Sequence, residues 1–350
     1  MSTFLTKHKS LLNDYARLSQ SAGARKDYVQ GGGGNTSAKL DDHLMAVKAS
    51  GFCLGDVTPD HAYAVMDYAS IRAFYREHEV KDFEDAEKAG SELAKANTIA
   101  VEDLPALRPS VEAGFHSLLG TFVIHSHSVY TNFACCAVEM QSILADVLED
   151  ADFSWGVVPY IDPGARLSFA IRDELDRVER ATGKVPTVLF MQNHGLIVHE
   201  ETADKCLRLH DAVNARFAAF FGIASDVFDT MDLEAYIAGR LLARKYEGTF
   251  FIETPLYPDQ MVFFIGTLGF GAGEPQAGEV LLDLSSGKIR SDAGEAQTRV
   301  VTETIAAVLL IQEQIEKKGY TLSTMGEKAK HFIANWESEK YRKSLLGAKA

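Results

Sequence analysis

Cysteine is scarce: Cys53, Cys135, Cys136 and Cys206 are the only four in 350 residues, two of them adjacent and none in a CxxC pair. That excludes a disulfide framework and indicates a reduced compartment. Long apolar runs are missing too, for no stretch reaches the roughly 18 apolar residues of a membrane helix. The N-terminal MSTFLTKHKS carries neither an apolar core nor a cleavage signal, so a soluble, cytoplasmic protein is expected. Positive charge is short, with 35 Lys and Arg against 49 Asp and Glu and a net charge of -14. Nucleic acid and anionic membrane surfaces are thereby excluded as general partners, although a small anionic substrate is not. Neither a P-loop nor a dinucleotide fingerprint occurs, and there is no internal repeat. What is present is an ordinary globular mixture, 46% hydrophobic and 24% charged, long enough for about two domains.

In chain order, residues 3–22 have helical apolar spacing and stop at Gly23. A run of four glycines, Gly31 to Gly34, then leads through Asn35-Thr36-Ser37 into a hairpin ending at Lys48-Ala49-Ser50-Gly51. The glycines suit either of two roles: presenting successive N–H groups to an anion, with Asn35, Thr36, Ser50, Lys39 or Lys48 assisting, or simply permitting a tight strand connection. Residues 60–77 are expected to be helical, 78–105 a solvated acidic excursion with short helices, and 129–140 one buried helix. Further expectations are a charged amphipathic helix over 168–180 and a buried strand over 186–192. A helix over 203–221 is capped by Thr202. Past residue 235 the pattern predicts strands over 261–266 and 279–284, a long helix over 296–317 and a last helix over 322–346. No catalytic constellation is visible there. The chain divides at 234/235.

The chemistry concentrates in three places. His125-Ser126-His127 ends an apolar strand, so its two imidazoles point the same way and are either half of a typical metal site or two histidines of a half-buried strand bonded to backbone. Asn193-His194-Gly195 is a turn between two strand-like runs, where a histidine has little packing value and reads as a third ligand. Arg108-Pro109-Ser110-Val111-Glu112 opens a helix that leads straight into the His125 strand. Glu112 thus lies near the helix N-terminus and close to the imidazoles. His116 reads as a structural partner, His210 as a core histidine and His199 as a solvent-facing residue at the strand rim. Cys135 and Cys136 read as core.

GGGGNTSAK, KASG, PSVE, HSH and NHG, in this order, resemble the class II aldolase/adducin family over roughly residues 5–222. The match includes Pro159-Tyr160, Pro163-Gly164 and Leu167-Ser168. The resemblance implies an α/β fold, three-layer αβα around a mainly antiparallel sheet, with a small α+β extension over 235–350, assembled as a homotetramer. It further implies that His125, His127 and His194 bind zinc, or another divalent ion such as Mn2+ or Co2+. Three imidazoles leave an open coordination position there, as catalysis requires. Glu112 takes the acid/base position. Gly34, Asn35, Thr36, Ser50, Gly51 and Ser110 match positions that hold a sugar phosphate. The implied activity is retro-aldol cleavage of a phosphorylated ketose through a metal-stabilised enediolate. Decarboxylase, epimerase and dehydratase are the alternatives on the same fold, and an adducin-like interaction module the non-enzymatic one. Val111 departs from members with a second phosphate-binding serine. Residues 235–350 resemble the segment that follows the aldolase domain in rhamnulose-phosphate aldolase/dehydrogenase fusions, without the dehydrogenase.

Overall fold

The computed structural model describes residues 3–102 and 104–335. Strands β1 (Asn35–Lys39), β2 (Leu44–Lys48), β3 (Tyr63–Asp67), β4 (Thr98–Ile99), β5 (Phe122–Ser126), β6 (Trp155–Val158), β7 (Val188–Met191) and β8 (Gly195–Glu200) form one sheet, in the order β4-β3-β2-β1-β5-β8-β7-β6. Every neighbouring pair is antiparallel except β6 with β7. Both faces are buried, so alternate side chains of each strand enter different cores. Phe122 and Ile124 of β5, Val188 and Phe190 of β7 and Leu196 and Val198 of β8 face the larger core. Val123, Leu189 and Ile197 face the smaller one.

Helices α1 (Lys9–Gly23), α2 (Tyr68–Glu77), α3 (Ala113–Leu118), α4 (Val129–Cys135), α5 (Ala165–Thr182) and α6 (Ala203–Phe221) cover the two faces. Tyr15 of α1, Phe133 of α4 and Phe217 of α6 fill the larger core, while Tyr75 of α2, Phe115 of α3 and Phe169 of α5 fill the smaller. The result is a three-layer αβα arrangement with a mainly antiparallel sheet. Thr202 caps α6 by accepting from Lys205 N–H, and the Asp41 carboxylate closes the β1–β2 turn on the N–H groups of His43 and Leu44. No helix among the described residues is long and apolar enough to cross a membrane.

The extension contributes α7 (Leu233–Ala243), α8 (Pro258–Phe264), a three-stranded sheet of β9 (Leu268–Phe270), β10 (Val280–Leu282) and β11 (Ile289–Ser291), and α9 (Glu295–Lys317). Helix α9 packs on α4, α7 and α8, and Ile305, Leu309 and Ile311 belong to the same core as Phe133 and Phe190. The extension is therefore fused to the sheet-bearing part by shared apolar burial rather than tethered beside it.

Several local expectations give way to the structure. Residues 60–77 split into β3 and α2, because Tyr63–Asp67 is buried on both faces and shows no period that separates strand from helix. Of the expected strand 261–266, Met261–Phe264 is the second half of helix α8 and Ile265-Gly266 the turn after it: Pro258 sits in the helix's first turn and all seven helix residues are buried, which hides any amphipathic stripe. The helix expected over 129–140 is broken after Cys135. Val138 N–H there donates to Thr321 of the extension, and a second helix starts at Met140. His199 is not at the solvent rim but 7% exposed, with Gly120 N–H donating to Nδ1 and Nε2–H donating to Pro186 O. Of the last expected helix, Glu327–Asn335 is seen, and 336–346 lies outside the described residues.

Candidate active site

His125 lies on β5 directly opposite Asn35 of β1, so both point into the layer that contains α3. His127 keeps the same parity just beyond the strand end, and His194 hangs from the β7–β8 turn, where Asn193 takes a left-handed φ of 50°. The three rings gather with one ligand atom of each within 4.8 Å of the others, all buried. Burial, reinforced by the neighbouring rings, holds the imidazoles of His125 and His194 well below the ordinary histidine pKa, so both are neutral near pH 7.

Hydrogen bonds fix which nitrogens converge. His125 Nδ1–H donates to Leu196 O at 3.0 Å, and His127 Nδ1–H donates to the Asp259 carboxylate at 2.5 Å. Each of these rings is thereby left with a lone pair on Nε2. The two Nε2 atoms stand 3.1 Å apart, and two acceptors at that distance repel unless a cation lies between them. Two imidazoles on a tetrahedral zinc ion, with bonds of ~2.0–2.1 Å, would be about 3.3 Å apart, close to the observed spacing. His194 Nδ1 is buried with no hydrogen-bond partner, a condition that buried polar atoms rarely keep. The donor set fits a divalent ion of the zinc type.

Glu112 closes the cluster. It occupies the N-cap of α3, 6% exposed, with Oε1 3.4 Å from His194 Nε2 and Oε2 3.5 Å from His125 Nε2. Its orientation comes from Asn35, whose Nδ2–H donates to Glu112 Oε2 at 2.7 Å and to Ser110 Oγ at 3.2 Å. Asn35 Oδ1 accepts from His116 Nε2–H, and His116 Nδ1 accepts from Ser37 Oγ–H at 2.7 Å. His116 is the structural partner expected, fully buried and held neutral by burial. The chain Ser37–His116–Asn35–Glu112 fixes the carboxylate from behind.

The remaining sequence candidates divide. Ser110 is joined to the end of β2, with Ser110 N–H donating to Lys48 O and Ser50 N–H to Arg108 O. This pairing brings Ser50, Gly51 and Ser110 to one edge of the site. Gly34 has a left-handed φ of 63° and lies against the backbone of His125. Thr36 has the parity of Ile124, and its hydroxyl meets Ser19 Oγ at 2.7 Å on the opposite face of the sheet. Lys39 Nζ donates to His116 O and Gly120 O, and Lys48 Nζ to Gly32 O and Phe52 O. The glycine run does tight packing work: a Cβ on Gly33 would collide with Asp259 Oδ2. His210 is a core histidine bonded to Ser126 Oγ, and Cys135 and Cys136 are buried.

The family model of the class II aldolase and adducin N-terminal domain matches residues 13–219. The chain belongs to the class II aldolase/adducin family. Among solved structures it is similar to the N-terminal class II aldolase domain of a conserved protein from Thermoplasma acidophilum, at 22% identity over 60% of this chain and 92% of that one, with a TM-score of 0.49. A sugar-phosphate aldolase from Thermotoga maritima matches at 11% identity over 61% and 97% of the two chains, TM-score 0.43. An L-fuculose 1-phosphate aldolase from Glaciozyma antarctica matches at 13% identity over 63% and 75%, TM-score 0.38. No curated protein matches the chain. The family match ends before the extension, so Asp259 lies outside it. No sequence motif singles out Asp259; the available signal is an acid beside Gln260 in a segment, Tyr257 to Phe264, whose other residues are apolar or aromatic.

Proposed function

We propose that the protein is a divalent-metal-dependent lyase that cleaves a phosphorylated ketose by retro-aldol chemistry. His125, His127 and His194 hold the ion, zinc or alternatively Mn2+ or Co2+. When bound, such an ion supplies Lewis-acid polarisation of an adjacent hydroxyl and carbonyl. The observation that carries the reading is the position of the Glu112 carboxylate, 3.4 and 3.5 Å from ring nitrogens of His194 and His125 and steered there by Asn35. A carboxylate so placed is within reach of a proton on any substrate carbon presented to the three rings.

In that reading the substrate hydroxyl next to the breaking bond gives its proton to the Glu112 carboxylate as the carbon–carbon bond opens. The electron pair passes into an enediolate, the aldehyde half leaves, and Glu112 delivers a proton to the enediolate carbon. Burial of Glu112 and the imidazoles keeps water from competing for that proton. Ser50, Gly51 and Ser110 at the β2 edge, with Gly34 and Asn35 at the start of β1, would hold the phosphate, while Thr36, expected among them, turns its hydroxyl to Ser19 on the other face of the sheet. A cytoplasmic homotetramer, with the catalytic domain over 1–234 and the extension over 235–350, completes the proposal.

The deciding experiment incubates the purified protein with a panel of ketose 1-phosphates and sugar-acid phosphates, following dihydroxyacetone phosphate, aldehyde and carbon dioxide together. Dihydroxyacetone phosphate with an equal amount of aldehyde is expected. Carbon dioxide would replace the reading by a decarboxylase. Neither product would remove aldol cleavage and leave epimerisation, dehydration or the adducin-like module.

A further inference from the structure

The part of the chain beyond the family match reaches into the histidine cluster. Asp259, on the first turn of α8, is 1% exposed, and its Oδ2 is 2.5 Å from His127 Nδ1. The neighbouring Tyr257 ring lies edge-on to His127, centroids 6.1 Å apart, and its hydroxyl donates to Gln30 Oε1 at 3.0 Å. The same segment grips the His194 turn. Asn193 Nδ2–H donates to Leu256 O at 2.9 Å and to Ser323 O at 3.0 Å, while Ser323 Oγ–H donates back to Asn193 Oδ1 at 2.9 Å. Residues 256–259 and 323 thus contact two of the three histidine positions, the His127 ring and the His194 turn, whereas the His125 ring bonds Leu196 O within the family-matched part.

We infer that Asp259 is a positioning residue of the centre: its carboxylate fixes the His127 ring with Nε2 turned inward, and the extension is in this way a built-in part of the ligand set. The inference rests on the reading of the three histidines as a metal site. Its physical basis is that a ring nitrogen bonded to a carboxylate keeps its proton there, which frees the other nitrogen and raises its basicity. A buried carboxylate needs hydrogen-bond donors, and His127 Nδ1–H is one of them. Gly33 belongs to the same device, since only a residue without a Cβ leaves room for Asp259 at that distance.

Two measurements on the full-length protein test the inference. First, 15N NMR of the metal-stripped wild type should show His127 protonated on Nδ1 and bare on Nε2; the opposite tautomer would overturn the role of Asp259 without any variant. Second, Zn2+ affinity by chelator competition and the Co2+ ligand-field spectrum should be compared between wild type, Asp259→Asn and Asp259→Ala. Affinity is expected to fall about 10- to 100-fold in both, with a changed Co2+ spectrum, while the stripped Asp259→Asn protein keeps its circular dichroism. Unchanged affinity and spectrum in both variants would refute the inference. A wild type that binds no ion would instead refute the metal-centre reading, so the two failures are told apart.

Discussion

Asn35 Nδ2 meets Glu112 Oε2 at 2.7 Å, joining the first residue of β1 to the N-cap of α3. The same amide donates to Ser110 and accepts from His116, so every polar atom of the Asn35 side chain has a partner. Asn35→Ala would remove the buried amide that donates to Glu112 Oε2 and accepts from His116 Nε2–H, at a cost of roughly 1–3 kcal/mol of stability. Turnover should fall at least tenfold through kcat, with metal content unchanged. Asn35→Asp sets a second carboxylate against Glu112 and should be worse for turnover still. Wild-type kcat in either variant would separate Asn35 from proton transfer.

Glu112→Gln keeps the size of the side chain but cannot carry the proton. The substituted protein should retain its ion, because the three imidazoles remain, and lose turnover by about 10²- to 10⁴-fold. Metal analysis beside steady-state kinetics checks both halves. Conversely, His125→Ala with His194→Ala should lose the ion; full retention would remove the histidines from the ligand set.

His199 predicts an acid limit to stability. Burial lowers its pKa to about 4 in the folded protein, against about 6.5 when unfolded. Below 6.5 the unfolded chain takes up a proton that the folded one refuses, so stability is complete above that pH and declines as pH falls towards 4. The loss over that window is about 3 kcal/mol. Urea unfolding from pH 7 down to pH 4.5 should show the decline. His199→Gln should be less stable at pH 7, losing the bonds to Gly120 and Pro186, yet fall less steeply on acidification. Parallel slopes for the two proteins would exclude His199 as the group responsible.

The clustering of the three histidines with Glu112 was legible for a local reason. His125 and His127 share a strand parity, His194 sits on a turn, and Glu112 starts the helix that feeds the strand. Each is readable from the chain around it. Asp259 was not legible, because its meaning is a contact across 132 residues, and nothing near Pro258–Phe264 mentions a histidine. Thr36 shows the complementary failure: its neighbours in sequence face the site, but strand alternation turns its hydroxyl towards Ser19. Helices with one wet face, such as α5 and α6, declared themselves by period. Tyr63–Asp67 and α8, buried all round, did not, since burial on every side erases the pattern that distinguishes a strand from a helix.

Gly33→Ala brings the glycine run and the extension to a common test. The added Cβ would collide with Asp259 Oδ2 and press on Gln30 O at 3.1 Å. Asp259 is a short, buried side chain on a helix fixed in the core, so it cannot swing clear without giving up His127. The methyl group is therefore accommodated by displacing α8 or by breaking the carboxylate–imidazole bond, and overpacking of this kind costs about 1–3 kcal/mol. The variant should melt lower than wild type and bind Zn2+ more weakly, in the same direction as Asp259→Asn. If the run served only to present N–H groups to a substrate anion, Gly33→Ala would raise KM and leave metal affinity untouched. Chelator competition beside the KM for the best substrate of the panel decides between these outcomes.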